Sequence, residues 1–239
     1  MTGGKGMRTA VVVFPGSNSE YETWHVIHHV LGQPAALVWH RETSLDGYDL
    51  VVLPGGFAHG DYLRAGAIAR FSPVMNAVAR HAAEGRLVLG ICNGFQVLTE
   101  AGLLPGALMR NEGISFVSRD SWLRVENAQT PLTMACRRGD VVRMPIAHGE
   151  GRYYAEPSQL DRIESEGRVL FRYCDPAGAD DPAFNPNGSE RAIAGIMNEA
   201  GNVFGLMPHP ERDAEPVVGL GQGLVLFESL VTSFGKVAA

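Results

Sequence analysis

Gly90-Ile91-Cys92-Asn93-Gly94 places one cysteine between two glycines, where the apolar run RLVLGIC (86–92) gives way to a stretch of helical periodicity. Glycines there let the chain turn sharply and let another backbone, or a substrate, approach closely. The pattern strand, Gly-x-Cys-x-Gly, helix has the form of a nucleophile elbow. Such a turn exposes the sulfur beside the positive end of the next helix, which favours a thiolate and offers N–H donors to a developing oxyanion. The same five residues also describe a small buried cysteine at a tight corner, since free Cys is among the most buried residue types. The pentapeptide alone leaves both readings open.

A cysteine nucleophile needs a base, and the base needs an orienting group. Of eight histidines, His209 stands out in Pro208-His209-Pro210-Glu211, because it follows the apolar run NVFGLM and has a carboxylate two residues on. The two prolines restrict the backbone there, holding His and Glu in a set relation. A surface turn that happens to contain both is the plainer reading of these four residues. Pro54-Gly55-Gly56 follows another apolar run and can offer an unencumbered N–H to an oxyanion, or can be an ordinary strand-to-loop turn.

The elements that must position these groups are legible as alternating apolar runs and helical stretches. Strands are expected at 9–15, 35–40, 48–56 and 86–92, with helices at 17–32 and 67–85, the second having Pro73 near its start. Buried β-branched runs alternating with helices argue for a mainly parallel sheet covered on both faces. Beyond residue 105 the strands become shorter and more alternating, at LRVEN, VVRMPIAH, RVLFRYC, RAIAGIMN and NVFGLMPH. Asn198–Asn202 reads as a hairpin turn, and GLVLFESLVTSFG as a closing helix. Ligands of such sheets bind beyond the carboxyl ends of the strands. PGS (15–17), PGG (54–56), GICNG (90–94) and PHPE (208–211) all follow apolar runs, so one shared rim is expected. A single domain over 1–239 is expected, with 1–8 as a flexible tail.

Composition narrows the function classes. The 239 residues are 45% hydrophobic and 19% charged with a formal charge of −6, enough to bury a core and too acidic to track a phosphate backbone. No run approaches the roughly 18 apolar residues of a membrane helix, and MTGGKGMR lacks the apolar core of a signal peptide. Three cysteines without a CxxC fit a reducing, cytoplasmic setting. His25, His28 and His29 share a helix face, but no Cys or carboxylate set accompanies them, so a solvated face and no metal is expected.

Taken together the motifs resemble the class I (triad) glutamine amidotransferases, and within them the glutaminase subunits of phosphoribosylformylglycinamidine synthase. The resemblance runs in order through VVVFPGSN (11–18), LPGGFAHGDYLRAGAIAR (53–70), GICNGFQVLTEAGLLPGAL (90–108), RNEGISF (110–116), PIAHGEGRYY (145–154), FNPNGS (184–189) and GLMPHPER (205–212). It implies an α/β, flavodoxin-like fold, with a mainly parallel sheet, helices on both faces and extra short antiparallel strands in the C-terminal half. It implies Cys92 as nucleophile on the side-chain amide of L-glutamine, His209 as general base and acid, and Glu211 as its orienting group. The backbone N–H groups of Gly56 and Asn93 would form the oxyanion hole. Gln96 and the stretch Ile114, Ser115 and Phe116 would hold the amino-acid end of glutamine.

The resemblance further implies that ammonia passes to a large synthetase subunit, with a small bridging subunit, for ATP-dependent conversion of formylglycinamide ribonucleotide to its amidine. ATP and Mg would be used by that partner, and no cofactor by this chain; Gly4-Lys5 lacks Walker spacing and a preceding strand. An amidotransferase serving another acceptor, or a non-catalytic module on the same elbow, are the alternatives. Members commonly read GSNCD, FSYGDYLR and Ser-Leu-Lys-Phe-x-Cys, where this chain has Gly16–Glu20, Phe57–Arg64 and Gly113–Ser118. Gly113 removes any side-chain contact to glutamine from that position. His148-Gly149-Glu150 is expected near the site mouth, facing substrate or synthetase, outside the triad. Arg64 and Arg152 are candidate docking residues, and Cys136 and Cys174 structural.

Overall fold

Five apolar strands form the parallel half of one sheet in the computed structural model, which describes residues 6–237. They are β1 (Thr9–Val13), β2 (Ala35–Trp39), β3 (Leu50–Leu53), β4 (Leu87–Ile91) and a late strand, β11 (Val203–Leu206). Their spatial order is β2-β1-β3-β4-β11, each pair parallel. β3 and β11 are buried along their whole length, as strands covered on both faces must be.

The antiparallel strands extend this same sheet, and two of them are its longest. β6 (Val117–Val125), β7 (Val141–His148), β9 (Val169–Cys174) and β10 (Ile193–Met197) continue it from β11 in the order β10-β9-β6-β7. β7 alternates buried and half-buried residues towards its end, the mark of a strand packed on one face. The hairpin expected at Asn198–Asn202 joins β10 to β11, with Asn198 N–H donating to Val203 O. A two-stranded ribbon of β5 (Ala107–Met109) and β8 (Arg152–Tyr154) stands apart from the sheet and was not legible from periodicity, being three residues a side.

Helices differ from expectation where proline and glycine act. The helix expected over 67–85 begins at Pro73, because the residue before a proline is pushed out of the helical region; Ser72 has ψ 141°. This is α2 (Pro73–Ala83); α1 (Glu20–His25) runs on into a π-helical turn, Val26–Val30. The elbow helix is α3 (Asn93–Glu100), α4 (Pro157–Ser165) precedes β9, and α5 (Leu224–Val237) closes the chain. Residues 7 and 8 are held in place. Met7 is buried and donates its N–H to Gln33, and Arg8 pairs with Asp49 in both directions. Residues 1–5, including Gly4-Lys5, lie outside the described residues.

β1, β3, β4 and β11 are consecutive neighbours in the sheet. Their carboxyl ends therefore deliver the four marked stretches, PGS, PGG, GICNG and PHPE, side by side on one rim, as sequence reading expects.

Candidate functional site

Cys92 lies between β4 and α3 with φ 47° and ψ −103°, a conformation that costs a non-glycine residue of order 1–3 kcal/mol. Its N–H donates to Leu206 O of β11, so the sheet itself fixes the turn. The glycines around it serve close packing. A Cβ on Gly94 would overlap the Leu53 carbonyl, and one on Gly90 would lie 2.6 Å from Leu98 Cδ1 and 2.7 Å from the Gly94 carbonyl. Only glycine lets α3 start directly against β3, which is what turns the sulfur towards the neighbouring loops.

His209 enters from the adjacent strand end. Its N–H donates to Pro145 O of β7, and its ring Nδ1 is 2.6 Å from Glu211 Oε1. His209 is 2% and Glu211 3% exposed, so the pair interacts away from water. Burial by itself lowers the His209 pKa; the Glu211 carboxylate and negative charge on the Cys92 sulfur outweigh it and raise the group to about 10. Nε2 has no formed hydrogen bond among the described residues and lies beside the Cys92 sulfur, a looser contact than a bond but close enough to act on its charge. The sulfur also approaches Ala147 O at 3.8 Å. Cys92, His209 and Glu211 are thus brought together with one unmet donor position facing the thiol. Such a triple can move a proton between sulfur and a leaving group.

Two backbone donors face the same rim. Asn93 is the first residue of α3, whose N–H has no helical acceptor. In the loop after β3, Asn18 and Ser19 N–H donate to Gly55 O and Phe57 N–H donates to Gly16 O, which leaves the Gly56 N–H out of that ladder. Gly56 holds φ 145°, open to glycine alone. A Cβ on Gly55 would sit 2.6 Å from both His209 Cε1 and Ser19 Oγ, so this loop is pressed directly against the histidine.

Other sequence-predicted residues take places the sequence does not reveal. Gln96 is buried, its Oε1 accepting from Asn93 Nδ2 and its Nε2 donating to Glu150 O. Ile114, Ser115 and Phe116 are exposed on a rim loop, and Phe116 stacks on Phe57 with ring centroids 6.5 Å apart. His148 does not face the mouth: it is buried, and its Nδ1 points to Asn111 Oδ1. Burial and the nearby His209 charge push it down to about 4. Arg64 is paired bidentately with Glu100, and Arg152 donates to Gly188 O. His25 pairs with Glu215, and His28 stacks on Trp24.

Sequence reading missed Asp61. It accepts from Asn93 Nδ2 at 3.1 Å, and Asn93 Oδ1 accepts the Ala58 N–H at 3.0 Å. The Asn93 side chain therefore pins the strained loop 58–61, in which His59, Gly60 and Asp61 all have positive φ, onto the elbow. Burial raises Asp61 to about 6, with the Asn93 bond pulling down and Glu150 pushing up. An aspartate in a Gly-Asp-Tyr loop carries no sequence signal for this contact.

Residues 6–219 match the CobB/CobQ-like glutamine amidotransferase domain family. The chain is 56% identical over 232 residues to the phosphoribosylformylglycinamidine synthase subunit PurQ of Salinibacter ruber, covering 97% of this chain and 99% of that one. It is 57% identical over 227 residues to the same subunit of Gloeobacter violaceus, covering 95% and 98%. The chain belongs to the PurQ family. Its fold superposes on a chain of the PurLQS structure from Thermotoga maritima with a TM-score of 0.85 at 41% identity, covering 96% of this chain and 99% of that one. The glutaminase domain of Trypanosoma brucei CTPS shares the fold at a TM-score of 0.57 and 14% identity, over 95% and 94% of the two chains. This PurQ-family chain is accordingly a class I glutamine amidotransferase subunit, and the expected fold class is borne out. Among the described residues no helix is long and apolar enough to cross a membrane.

Proposed function

We propose that this chain hydrolyses L-glutamine through Cys92 and supplies the ammonia to a synthetase partner. The observation that carries the assignment of roles is the buried His209–Glu211 pair, set beside the sulfur of a strained elbow by the neighbouring strand end. Sγ attacks the side-chain amide carbon, and the oxyanion is stabilised by the N–H groups of Gly56 and Asn93. His209 carries the thiol proton to the departing nitrogen, which leaves as ammonia, and a γ-glutamyl thioester remains. Water then adds with His209 as base, the thioester breaks, and glutamate leaves with Cys92 restored. Gln96 and residues 114–116 hold the amino-acid end of glutamine. The chain uses no cofactor; ATP and Mg belong to the partner.

The partner proposed is a large synthetase subunit with a small bridging subunit, as the PurLQS likeness supports. It would sit over the rim, where Tyr62, Leu63, Ile114 and Phe116 are exposed beside a cysteine that is 4% exposed. A sulfur so enclosed gives glutamine little direct access, so the isolated chain should be slow until its partner docks. A cytoplasmic location and a single domain complete the reading.

Glutamine hydrolysis by the full chain, alone and with candidate synthetase subunits, tests it, with Cys92→Ala alongside and intact mass after a glutamine-analogue label. Activity that rises on assembly, disappears in Cys92→Ala and places the label on Cys92 is the expected result. No hydrolysis and no label in the assembled mixture overturns it.

A further inference from the structure

Asn111 lies at the root of the exposed loop 112–116 yet is 2% exposed, and every polar group it owns is engaged. Its Nδ2 donates to Ser115 O at 2.9 Å and to His148 O at 2.9 Å. Its Oδ1 accepts from Gly151 N–H at 3.0 Å and meets His148 Nδ1 at 3.2 Å. Its own N–H donates to Gly149 O, and its carbonyl accepts the Ile114 N–H. Two acceptors on one side and two donors on the other fix the amide orientation and place a proton on His148 Nδ1. His148 has Asn187 at its other nitrogen, where Nδ2 stands 3.5 Å from Nε2 and also donates to Gly151 O at 2.8 Å. Asn187 Oδ1 accepts from Ser189 N–H and Oγ–H.

This network joins three pieces of the site. The loop tip, where Ile114 is held at φ 51°, is closed on itself through Asn111. The turn 149–151 is tied to the same side chain, and Glu150 O in that turn receives Gln96 Nε2 from the elbow helix. The path from Cys92 through Gln96 and the turn to Ser115 is thus spanned by hydrogen bonds, while the loop tip itself is solvent-exposed. An exposed tip with a strained residue, packed only where Phe116 meets Phe57, would otherwise sample many conformations, and ordering it would weaken substrate binding.

We propose that Asn111, held by His148, is a positioning residue for glutamine. It sets the distance between the 113–116 loop and the nucleophile, so that the loop is already in place when the amino-acid end of the substrate arrives. The proposal rests on the glutaminase reading above. It predicts an effect on binding that leaves the chemistry at Cys92 largely intact, because neither Asn111 nor His148 bonds to Cys92, His209 or Glu211.

Asn111→Asp tests it at constant volume, since the new oxygen faces the two carbonyls that Nδ2 served. In the assembled complex KM for glutamine should rise about tenfold or more with kcat within about threefold of wild type. Alkylation of Cys92 by iodoacetamide, a small probe that needs no loop, should keep its wild-type rate, while labelling by a glutamine analogue slows in parallel with KM. His148→Gln, which can still donate towards Oδ1, should move KM the same way by a smaller factor and stands in if Asn111→Asp does not fold. Unchanged KM in both variants, or kcat and iodoacetamide alkylation falling together with binding, overturns the proposal. Failure of the glutaminase reading shows separately, as wild-type enzyme that neither hydrolyses glutamine nor takes the analogue.

Discussion

His209 Nδ1 stands 2.6 Å from Glu211 Oε1, two residues along the chain, with both side chains sealed from solvent. A carboxylate at this place keeps the Nδ1 proton on its own side and leaves Nε2 to face sulfur. Burial alone would favour neutral imidazole; Glu211 is the main charge that reverses it. Glu211→Gln should therefore lower the His209 pKa and cut glutamine hydrolysis by about a thousandfold or more. Steady-state rates across pH check both, and a loss under about tenfold would remove Glu211 from the proposed orienting role.

Gly55 and Gly94 should fail differently. A Cβ on Gly55 meets the His209 ring and Ser19 Oγ, both side chains that can shift, so Gly55→Ala should fold while hydrolysis falls by about 100-fold or more. A Cβ on Gly94 meets the backbone carbonyl of Leu53 at the carboxyl end of β3, held in the sheet beside β4, which cannot move alone. Gly94→Ala should cost about 3 kcal/mol or more of stability. Denaturant midpoints beside rates separate the cases; equal stability loss in both would contradict the distinction.

Asp61 titrates near pH 6 because burial disfavours its charge. Its folded pKa lies above the ordinary value of 3.8, so the charged form is a cost to the fold that grows as pH rises from about 4 through 6. Asp61→Asn should be at least as stable as wild type at pH 7, and the advantage should shrink towards pH 4. Because Asn93 bonds to Asp61 and also supplies a proposed oxyanion donor, any inflection near pH 6 in the rate profile should vanish in the variant. Persistence of that inflection would assign it elsewhere.

His81 and His148 act in the opposite sense. Burial, helped by Arg86 in one and His209 in the other, lowers each to about 4. The folded state holds them neutral, so their contribution is intact above the unfolded value of about 6.5 and is lost as pH falls from there towards 4. Each can account for up to about 3 kcal/mol of acid destabilisation. His81→Gln should flatten the fall in melting temperature between pH 6.5 and 4; an unaltered slope would show that His81 is not buried neutral.

The sequence located most of the elements because their signals are local, and it pointed to the candidate triad through motifs that resemble a family, each of which alone left a structural reading open. The runs at β1, β3, β4 and β11 are apolar apart from Thr9 and the glycines Gly90 and Gly205, and Cys92, His209 and Glu211 lie within short, marked motifs. It also located the shared rim, since the marked turns each follow a strand. Only the tertiary structure decided that β11 lies beside β4, more than a hundred residues earlier, which is what sets His209 against Cys92. It moved the start of α2 to Pro73, ordered residues 6–8 against Gln33 and Asp49, and turned His148 inward to Asn111. The contacts of Asp61, Asn111 and Asn187 were not legible in the sequence for one physical reason. A buried polar side chain is defined by partners that folding brings from elsewhere, here 32 residues away for Asp61 and 37 for Asn111, and no periodicity or composition encodes that pairing.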